Sequence, residues 1–404
     1  MDSPTLSQIM AAPRILNVLM AVPLYPPPVA GGLEKQAHEL AVQLVARGHH
    51  VLAVSGRISA NQSAVEQVDG VEVHRIGDAT TSRWRWLARP LDTWGRLRWL
   101  VSKVDIVHVH VFSGFGLFFI ALARLYGKPV LVKLPNVGDD GLPGLARQRL
   151  GQLRLWLFSR ADAVVAMAQQ SLQELDAIGF PRPRVLTTPN GIRLTPRPSV
   201  HGPCDDGCRL ILVGRLHEQK GILDLLAALR MLPAHVATLR WQLDLVGDGP
   251  LRADIERQIV TMSLQERVRV LGHRDDVGLM LDNCDAFVLP SYREGNSNAI
   301  LEAMRASLPV VSTRVGGTPM LVGAAGAALL HEPGDVQALA DRLALMIMQP
   351  GLRRELGTAM RKRVETYFDM RVVVSTYERA YENLVSQRRD DVSRVSNPVV
   401  LNES

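Results

Sequence analysis

The sequence predicts an α/β protein with two doubly wound, Rossmann-like domains built on parallel sheets. Short β-branched runs alternate with longer segments of helical period, and these runs are apolar at nearly every position. A single Pro-rich segment divides the chain into two halves that each begin with such a run. Strands buried on both faces have near-continuous apolar runs, and their alternation with helices is typical of parallel sheets. A length of 404 residues allows two or three domains.

The predicted strands are seven runs before the Pro-rich segment and five after it. In the first half they are Ile15–Ala21, Val51–Val54, Val71–Ile76, Asp105–Val109, Pro129–Leu134, Ala163–Met167 and Val185–Thr188. In the second half they are Leu210–Val213, Trp241–Val246, Val268–Leu271, Ala286–Leu289 and Pro309–Thr313. Between them, apolar residues recur at helical spacing, as from Leu33 to Leu44 and from Ile222 to Leu229.

The Pro-rich segment Arg193–Asp206 is predicted to be a linker, because it has three prolines, one glycine and no periodicity. We expect an N-terminal domain over residues 13–192, a linker over 193–208 and a C-terminal domain over 209–371. A final helix over 372–388 is expected to return to the first domain. Ligands of doubly wound sheets bind beyond the carboxyl ends of the strands, so the domains are expected to face each other across a ligand-binding cleft.

The charge of the chain is concentrated in its first half. Lys and Arg number 46 against 40 Asp and Glu, a net charge of +6. Residues 1–200 hold 22 basic and 14 acidic residues, whereas the remainder holds 24 and 26. A basic excess indicates a phosphate-bearing partner: nucleic acid, anionic lipid or nucleotide. The hydrophobic fraction of 47% excludes wholesale disorder.

Cysteine usage and hydropathy predict a cytoplasmic protein. Three cysteines cannot form a disulfide scaffold, and the pair Cys204 and Cys208 has no second pair with which to bind zinc, so no metal site is expected. Residues 1–12 lack the basic and apolar regions of a signal peptide. The most apolar stretch, Val111–Ala123, is too short to span a bilayer. Attachment to the inner face of a membrane remains compatible with this sequence.

Two segments of the second half have the chemistry of a nucleotide-sugar site. Gly214–Gly221 places Arg215 and Lys220 between a strand and a helix N-terminus, where cations and backbone amides can meet a phosphate. Pro290–Met304 carries Glu294 and Glu302, separated by seven residues, which can accept hydrogen bonds from sugar hydroxyls. The amides of Gly295, Asn296, Ser297 and Asn298 between these carboxylates offer a second phosphate contact.

Seven elements in order carry a family resemblance. They are Gly31-Gly32-x-Glu34, Asp105-x2-His108-x-His110, Pro189-Asn190-Gly191, Gly214-Arg215…Lys220-Gly221, Val246-Gly247-Asp248-Gly249-Pro250, Glu294-x7-Glu302 and Val315-Gly316-Gly317. From about Arg14 to Leu384 the chain resembles the retaining family 4 glycosyltransferases (glycosyl transferases group 1), which have the GT-B fold. The most specific part is Pro290–Met304 with Gly214–Gly221 upstream.

The resemblance implies roles for individual residues. Arg215 and Lys220 would hold the donor diphosphate, Glu294 would contact the donor sugar, and Glu302 would hold the ribose hydroxyls. His110 would face the donor sugar, whereas His108 is expected on the other face of its strand in a structural role. The implied catalytic set is thus Glu294, Arg215, Lys220 and His110, and the implied donor-binding set adds Gly31, Gly32, Gly247, Arg274, Gly295, Asn296, Ser297, Asn298 and Glu302.

Two departures from the family pattern limit which residue roles can be assigned from the resemblance. Many relatives carry a histidine after the strand that begins near Pro129, but this chain has Val132-Lys133-Leu134-Pro135-Asn136. A role for that histidine therefore cannot be transferred. After Gly316-Gly317 many relatives have Pro-Glu, but here Pro319 is followed by Met320, which puts the donor contact of that loop in doubt.

The implied activity is transfer of a hexosyl group from a nucleoside-diphosphate sugar to a saccharide or lipid-linked acceptor, with retention and without a metal or cofactor. Synthesis of cell-envelope polysaccharide or exopolysaccharide is the expected setting. The motifs do not choose between UDP and GDP, nor do they specify the sugar. Alternatives that keep the fold are a sugar-nucleotide epimerase, a phosphorylase or a catalytically silent nucleotide-sugar-binding protein.

The sequence does not fit the dinucleotide-binding motif of a dehydrogenase. Gly247 and Gly249 follow a strand, but Arg252 replaces the third glycine. The acidic residue for the ribose is also missing, because its position falls in Arg267–Arg269.

Two basic stretches of the first half contain tryptophan. Arg83–Lys103 has six cations, four tryptophans and one acid, and Arg147–Arg160 has four arginines, Trp156 and no acid. This mixture suits an anionic membrane surface, although helices with Arg-rich solvent faces would also account for it. Nucleic acid is not expected as a partner, because the positive charge is the only feature of the sequence that favours it.

Overall fold

The computed structural model describes residues 14–27, 31–59, 61–77, 91–195 and 207–396, and these divide into two compact units. Unit 1 contains the described residues of Met1–Ala166, Glu174–Thr188 and Val374–Ser404, and unit 2 contains those of Met167–Gln173 and Pro189–Val373. Most of the predicted linker, residues 196–206, lies outside the described residues, as does Cys204.

Unit 1 is built on an eight-stranded sheet in the order β3-β4-β2-β1-β5-β6-β7-β8. All neighbouring strands are parallel except β3 and β4. The strands are β1 (Asn17–Ala21), β2 (His50–Gly56), β3 (Val65–Val68), β4 (Val71–Ile76), β5 (Ile106–Val109), β6 (Val130–Leu134), β7 (Ala163–Ala166) and β8 (Val185–Thr187). The helices of this part of the chain are α1 (Gly32–Ala46), α2 (Leu91–Lys103), α3 (Gly114–Leu125), α4 (Leu142–Arg147), α5 (Gly151–Phe158) and α6 (Gln169–Ala177).

Unit 2 is built on a six-stranded parallel sheet in the order β11-β10-β9-β12-β13-β14. The strands are β9 (Cys208–Val213), β10 (Trp241–Val246), β11 (Val268–Gly272), β12 (Ala286–Leu289), β13 (Val310–Thr313) and β14 (Leu330–His331). The helices are α7 (Ile222–Arg230), α8 (Ala234–Ala237), α9 (Arg252–Thr261), α10 (Val277–Asp282), α11 (Asn298–Arg305), α12 (Thr318–Gly326), α13 (Val336–Met348) and α14 (Pro350–Arg363). A final helix, α15, runs over Met370–Ser396.

The predicted strands are confirmed, and their pairings within each sheet are parallel, as the sequence indicates. Strands β5, β6 and β12 are buried along their whole length, as strands covered on both faces are. Both units therefore have the Rossmann-like α/β architecture that the alternation of strands and helices predicts.

Three elements differ from the sequence prediction. Strand β3 pairs antiparallel with β4 through Asp69 and Gly70, which both have positive φ, and an Asp-Gly turn of this kind is a hairpin signal. Strand β14 has only two residues, too few to leave a pattern. Helix α15 is longer than the predicted 372–388 at both ends, and the Asp369 carboxylate accepts the backbone N–H of Arg371 at its start.

Candidate functional site

Five loops of unit 2 carry most of the predicted donor-binding residues. The loop after β9 holds Arg215 and Lys220, the loop after β10 holds Gly247, and the loop after β11 holds Arg274. The loop after β12 holds Glu294 to Ser297, and the loop after β13 holds Gly316 and Gly317. These strands are parallel, so all five loops leave the sheet at the same edge. The carboxyl-end edge of a doubly wound sheet is where such folds bind their ligands.

Glycines allow these loops to pack closely together. Gly221 has φ +64°, and a Cβ atom there would lie 2.0 Å from the carbonyl oxygen of Pro290. Gly247 has φ +136°, and its Cβ would lie 2.0 Å from the carbonyl oxygen of Gly214. Any side chain at either position would be strained and would force the neighbouring backbone apart. These glycines therefore bring the loops after β9, β10 and β12 into direct contact.

Lys220 and Glu294 form the polar centre of this edge. The Lys220 ammonium lies 2.5 Å from Oε1 of Glu294, and the Ser291 hydroxyl donates to the same oxygen at 2.8 Å. The Glu294 side chain is only 9% exposed and that of Lys220 is 23% exposed. An ion pair shielded in this way has a well-defined geometry, and it presents a fixed cation and a fixed carboxylate at the mouth of the site.

Arg215 and Glu302 lie on either side of this pair along the chain. Arg215 is exposed, and within the described part of the chain its guanidinium makes no hydrogen bond or ion pair, so its charge is available to an anion. Glu302 is partly buried in the second turn of α11.

Asn296 and Asn298 have a packing role that the sequence did not reveal. The Asn296 side-chain oxygen accepts the Asn190 backbone N–H at 3.0 Å. The Asn190 side chain in turn donates to the Asn296 carbonyl at 3.1 Å and to Asn298 Oδ1 at 2.8 Å. These contacts tie the Pro189-Asn190-Gly191 segment to the start of α11. The side-chain oxygens of both asparagines are thus already engaged within unit 2.

Gly316 and Gly317 support the loop that carries Glu294. Gly316 has φ +52°, and its Cβ would lie 1.7 Å from the carbonyl oxygen of Glu294. The Gly317 N–H donates to the Gly295 carbonyl at 2.7 Å. The Gly-Gly pair is therefore required for packing, a role that is independent of the residue at position 320.

Arg274, by contrast, is occupied by a neighbour. Its Nε and Nη2 atoms donate to the two carboxylate oxygens of Asp276 at 2.8 and 2.7 Å. Arg274 is exposed after β11, the edge strand of the sheet. A ligand would have to share this guanidinium with Asp276.

Unit 1 places Gly31, Gly32 and His110 at the carboxyl-end edge of its own sheet. Gly31 precedes the first residue of α1, Gly32, on the connection that leaves β1. The His110 backbone N–H donates to the carbonyl of Ala21, the last residue of β1, at 3.0 Å. These residues of the predicted site thus belong to the ends of two adjacent strands, β1 and β5.

His108 and His110 lie side by side, so the expectation that His108 faces the other way is wrong. Their ring centroids are 3.9 Å apart, because residues i and i+2 of a strand point to the same face. His108 Nδ1 lies 2.7 Å from the Tyr381 hydroxyl. Among the described residues, neither ring nitrogen of His110 has a hydrogen-bond partner. Burial holds the pKa of both imidazoles well below the usual value, and nearby Lys133 lowers them further.

Lys133 is a buried ionisable residue beside the histidine pair, and it does not belong to the site that the sequence predicts. It is 5% exposed on β6, and the register of β5 and β6 places it level with His110. Burial lowers the pKa of its ammonium to about 8. The sequence signal was a lysine inside the otherwise apolar run Val130–Leu134, which we treated only as a departure from the family histidine.

The two basic stretches divide into paired and exposed parts. Residues 83–90 lie outside the described residues. On α2, Trp94 packs against Phe118 with ring centroids 5.2 Å apart, and Arg96 donates to His74, whereas Trp99 is 57% exposed. Exposed apolar side chains cluster on and just before α5, namely Leu150, Leu153 and Trp156.

Two kinds of feature are absent from the described ranges. No helix there is both long and apolar enough to cross a membrane. Nor does that part of the chain bring three or more His, Cys, Asp or Glu side chains together as ligands for a metal ion.

Known proteins were then compared with the chain. The profile of the family described as Glycosyl transferases group 1 matches residues 207–349, and that of the Glycosyl transferase 4-like domain matches residues 31–191. The chain is 24% identical over 374 residues to N-acetyl-alpha-D-glucosaminyl L-malate synthase of Bacillus anthracis, covering 90% of this chain and 96% of that protein. It is 26% identical over 415 residues to glycogen synthase of Mycobacterium tuberculosis, with coverages of 95% and 98%.

The fold is shared with solved glycosyltransferases. The crystal structure of Anabaena HepE in complex with UDP and glucose superposes with a TM-score of 0.72 at 20% identity, over 92% of this chain and all of that one. The two profiles together match about three quarters of the chain, one in each half. This chain therefore belongs to the glycosyl transferases group 1 family and is a glycosyltransferase with the GT-B fold.

Proposed function

We propose that this glycosyltransferase moves a hexosyl group from a nucleoside-diphosphate sugar to a saccharide or lipid-linked acceptor, with retention of anomeric configuration. The observation that carries the proposal is the grouping of Arg215 and the Lys220–Glu294 pair at the carboxyl-end edge of unit 2. The UDP and glucose in the HepE structure support a donor of this class, and the glycogen synthase relative supports a saccharide acceptor. Synthesis of cell-envelope polysaccharide or exopolysaccharide is the setting that we infer.

Charge development on the leaving group explains why two cations are needed. As the bond between the anomeric carbon and the phosphate oxygen breaks, negative charge grows on the departing diphosphate. Preoriented cations stabilise that charge, and loss of one such group typically costs roughly 3–4 kcal/mol of barrier, by analogy with a lost oxyanion donor. Lys220 is held in place by Glu294, and Arg215 is free of protein partners within the described residues. We infer that these two cations serve the diphosphate without a metal or other cofactor.

Retention follows if the acceptor hydroxyl attacks from the side that the diphosphate leaves. The acceptor oxygen then bonds to the anomeric carbon while its proton passes to the departing phosphate oxygen. In this scheme Glu294 contacts the sugar ring, Glu302 the ribose hydroxyls and His110 the donor sugar. Gly31 and Gly32 allow the backbone to approach the donor phosphates and the acceptor.

We also infer that the enzyme works in the cytoplasm, at the inner face of a membrane. Trp99 on α2 and Trp156 on α5 are exposed, and the guanidinium carbon of exposed Arg160 lies 4.6 Å from the centroid of the Trp156 ring. Tryptophan and arginine at one surface favour the headgroup region of an anionic bilayer. A lipid-linked acceptor would be presented at the same place.

The transfer proposal is tested with a radiolabelled nucleotide sugar. Wild-type protein should release the sugar to water or to an added acceptor, and Arg215→Ala should slow this by roughly two orders of magnitude or more. The matched control is Arg230→Ala, since Arg230 is an exposed arginine in the last turn of α7.

The outcomes separate the competing functions. Equal rates for Arg215→Ala and the control would remove Arg215 from the reaction. Donor binding by thermal shift without any product would indicate a silent binding protein. The anomeric configuration of the product, read by NMR, decides between retention and inversion.

A further inference from the structure

Four arginines surround a cavity of unit 1 that the proposed reaction does not use. The cavity has a volume of about 410 Å³ and is lined by Arg124, Trp156, Ser159, Arg160, Asp162, Arg184 and Arg388. These residues come from the end of α3, from α5, from the segments before β7 and β8, and from α15. Only one of the lining side chains is acidic.

The cavity lies at the sheet edge opposite to His110. Asp162 immediately precedes β7, Arg184 immediately precedes β8, and Arg124 lies just before the connection into β6. The amino ends of parallel strands meet at one edge, whereas His110 follows the carboxyl end of β5. A ligand in this cavity would therefore occupy a second site, away from the edge where doubly wound sheets bind their substrates.

Among the described residues, one of the four cavity arginines is paired with a carboxylate. Asp162 pairs with Arg124 at 2.8 Å, and its second oxygen accepts the Val130 N–H at 2.8 Å. Arg184 donates to the carbonyl of Asp162 at 2.8 Å, and Arg388 donates to the carbonyl of Gly127 at 3.2 Å. Carbonyl contacts orient a guanidinium group without neutralising it.

Arg160 completes the positive cluster. Its guanidinium carbon lies 4.6 Å from the centroid of the Trp156 ring, a cation–π contact that also leaves the charge in place. Among the described residues, Arg160, Arg184 and Arg388 thus form no ion pair with a carboxylate. Burial and the charge of Arg124 lower the pKa of Arg184, while Asp162 raises it, as expected for crowded cations that hold a single anion between them.

We infer that this cavity binds a phosphate group. Several guanidinium groups around one cavity suit a tetrahedral, multiply charged anion, because the donors that the protein does not use can make charge-assisted hydrogen bonds to its oxygens. The phosphate could belong to a lipid headgroup or to a soluble phosphate compound. Trp156 lies in the cavity wall and also among the exposed apolar side chains Leu150 and Leu153, which favours the headgroup. The inference does not depend on the transfer reaction.

The first experiment measures the binding of inorganic phosphate by calorimetry, and the donor site, which is unchanged in every variant compared, contributes equally to each titration. The double variant Arg160→Gln/Arg388→Gln removes two charges that make few contacts within the protein. A charge-assisted hydrogen bond contributes about 1.5–3 kcal/mol, so the affinity for inorganic phosphate should fall at least roughly tenfold. The control Arg182→Gln/Arg257→Gln removes two exposed arginines outside the cavity and should bind as wild type does.

The second experiment identifies the source of the phosphate. Vesicles of phosphatidylcholine with phosphatidylglycerol are compared with vesicles of phosphatidylcholine alone. If the headgroup is the ligand, the cavity variant should lose binding to the anionic vesicles relative to the control variant. If a soluble phosphate is the ligand, the cavity variant should lose phosphate affinity but bind the vesicles as the control does.

A cavity variant that binds both phosphate and vesicles like the control would overturn the inference. Donor hydrolysis, measured in the same preparations, keeps this result separate from the proposed function. It should be equal in the cavity variant and the control, because none of these arginines belongs to the donor site.

Discussion

Single side chains of unit 2 decide how a donor could be held. Lys220 is directed by Glu294 and Ser291, whereas Arg215 has no protein partner among the described residues. Lys220 is therefore held in one orientation by its neighbours, whereas the orientation of Arg215 is not fixed by such contacts. Glu302 lies apart from this pair in α11, where a ribose hydroxyl is its expected partner.

Replacing Glu302 tests that assignment. Glu302→Ala should raise the KM for the donor roughly tenfold or more, because charge-assisted hydrogen bonds to the ribose would be lost. Glu355→Ala is the control, since Glu355 is an exposed glutamate on α14. Initial rates over a range of donor concentrations give the comparison, and an unchanged KM in Glu302→Ala would exclude Glu302 from the site.

Gly221 allows a prediction about stability. Gly221→Ala should lower the free energy of unfolding of unit 2 by about 2 kcal/mol or more. The left-handed backbone alone costs roughly 1–2 kcal/mol for alanine, and the Cβ would also meet the Pro290 carbonyl. Gly351→Ala is the control, because no atom lies within 4 Å of its Cβ and alanine is the better helix former.

Urea unfolding followed by circular dichroism measures both variants. The midpoint should fall for Gly221→Ala and stay the same or rise for Gly351→Ala. Equal midpoints would mean that the loops after β9 and β12 can separate without cost.

Strand β5 shows how one element creates an unusual electrostatic environment. Its period of two places His108 beside the imidazole of His110, at the end of the strand, and β6 adds Lys133. Tyr377 and Tyr381 of α15 close the cluster, with Tyr377 5.3 Å from the His108 ring. Burial lowers the pKa of all three groups, and the charge of Lys133 lowers the pKa of both imidazoles further.

The histidine pair makes stability depend on pH. In the folded protein the imidazole pKa lies below the usual 6.5, so below that pH the unfolded chain binds protons that the folded chain does not. The free energy of unfolding should therefore decrease as the pH falls from about 7 to about 5, by at most about 1.4 kcal/mol per pH unit for each histidine. His110→Leu should make this slope shallower.

Urea titrations at several pH values measure the slope. His273→Gln is the control, because the His273 side chain is 82% exposed, and it should keep the wild-type slope. If His110→Leu also kept it, His110 would have to be protonated in the folded protein.

At the scale of the whole molecule, the excess positive charge belongs to residues 1–200, which carry 22 basic and 14 acidic residues. The remainder, with 24 basic and 26 acidic residues, needs only Arg215 and Lys220 for the proposed diphosphate. The basic pI of about 9.5 therefore reflects the composition of the first half. Its cations stand beside exposed Trp99 and Trp156.

The charge distribution predicts salt-dependent membrane binding. The protein should sediment with vesicles that contain phosphatidylglycerol at low salt and be released as salt rises, because counterions screen surface charges. Trp156→Ala should weaken vesicle binding at low and at raised salt. Trp241→Phe, which changes a buried tryptophan of unit 2, should leave vesicle binding unchanged. Absence of binding at low salt would rule out the membrane proposal.

Most of the fold was predictable because its signals are local. The strands of both sheets, except β3 and β14, are apolar runs that need no partner to be recognised, as at Val130–Leu134. The hairpin of β3 was missed although Asp69-Gly70 is a known turn signal, because Val65–Val68 is short and polar in its middle.

The candidate site was predictable in its residue types and less so in their contacts. Motif spacing indicated Arg215, Lys220, Glu294 and Glu302, but the ion pair of Lys220 with Glu294 joins residues 74 positions apart. The use of Asn296 to hold Asn190 joins residues 106 positions apart. Contacts over such separations leave no periodic trace in the sequence.

By itself, then, the sequence determined the class of fold, the family and the half of the chain that carries the charge. Each of these depends on composition, on local period or on motifs read along the chain. Only the tertiary structure decided that His108 and His110 share a buried face, that Arg274 is occupied by Asp276, and that four arginines surround one cavity. These depend on which segments the sheets bring together, and burial and charge pairing exist only once that packing is made.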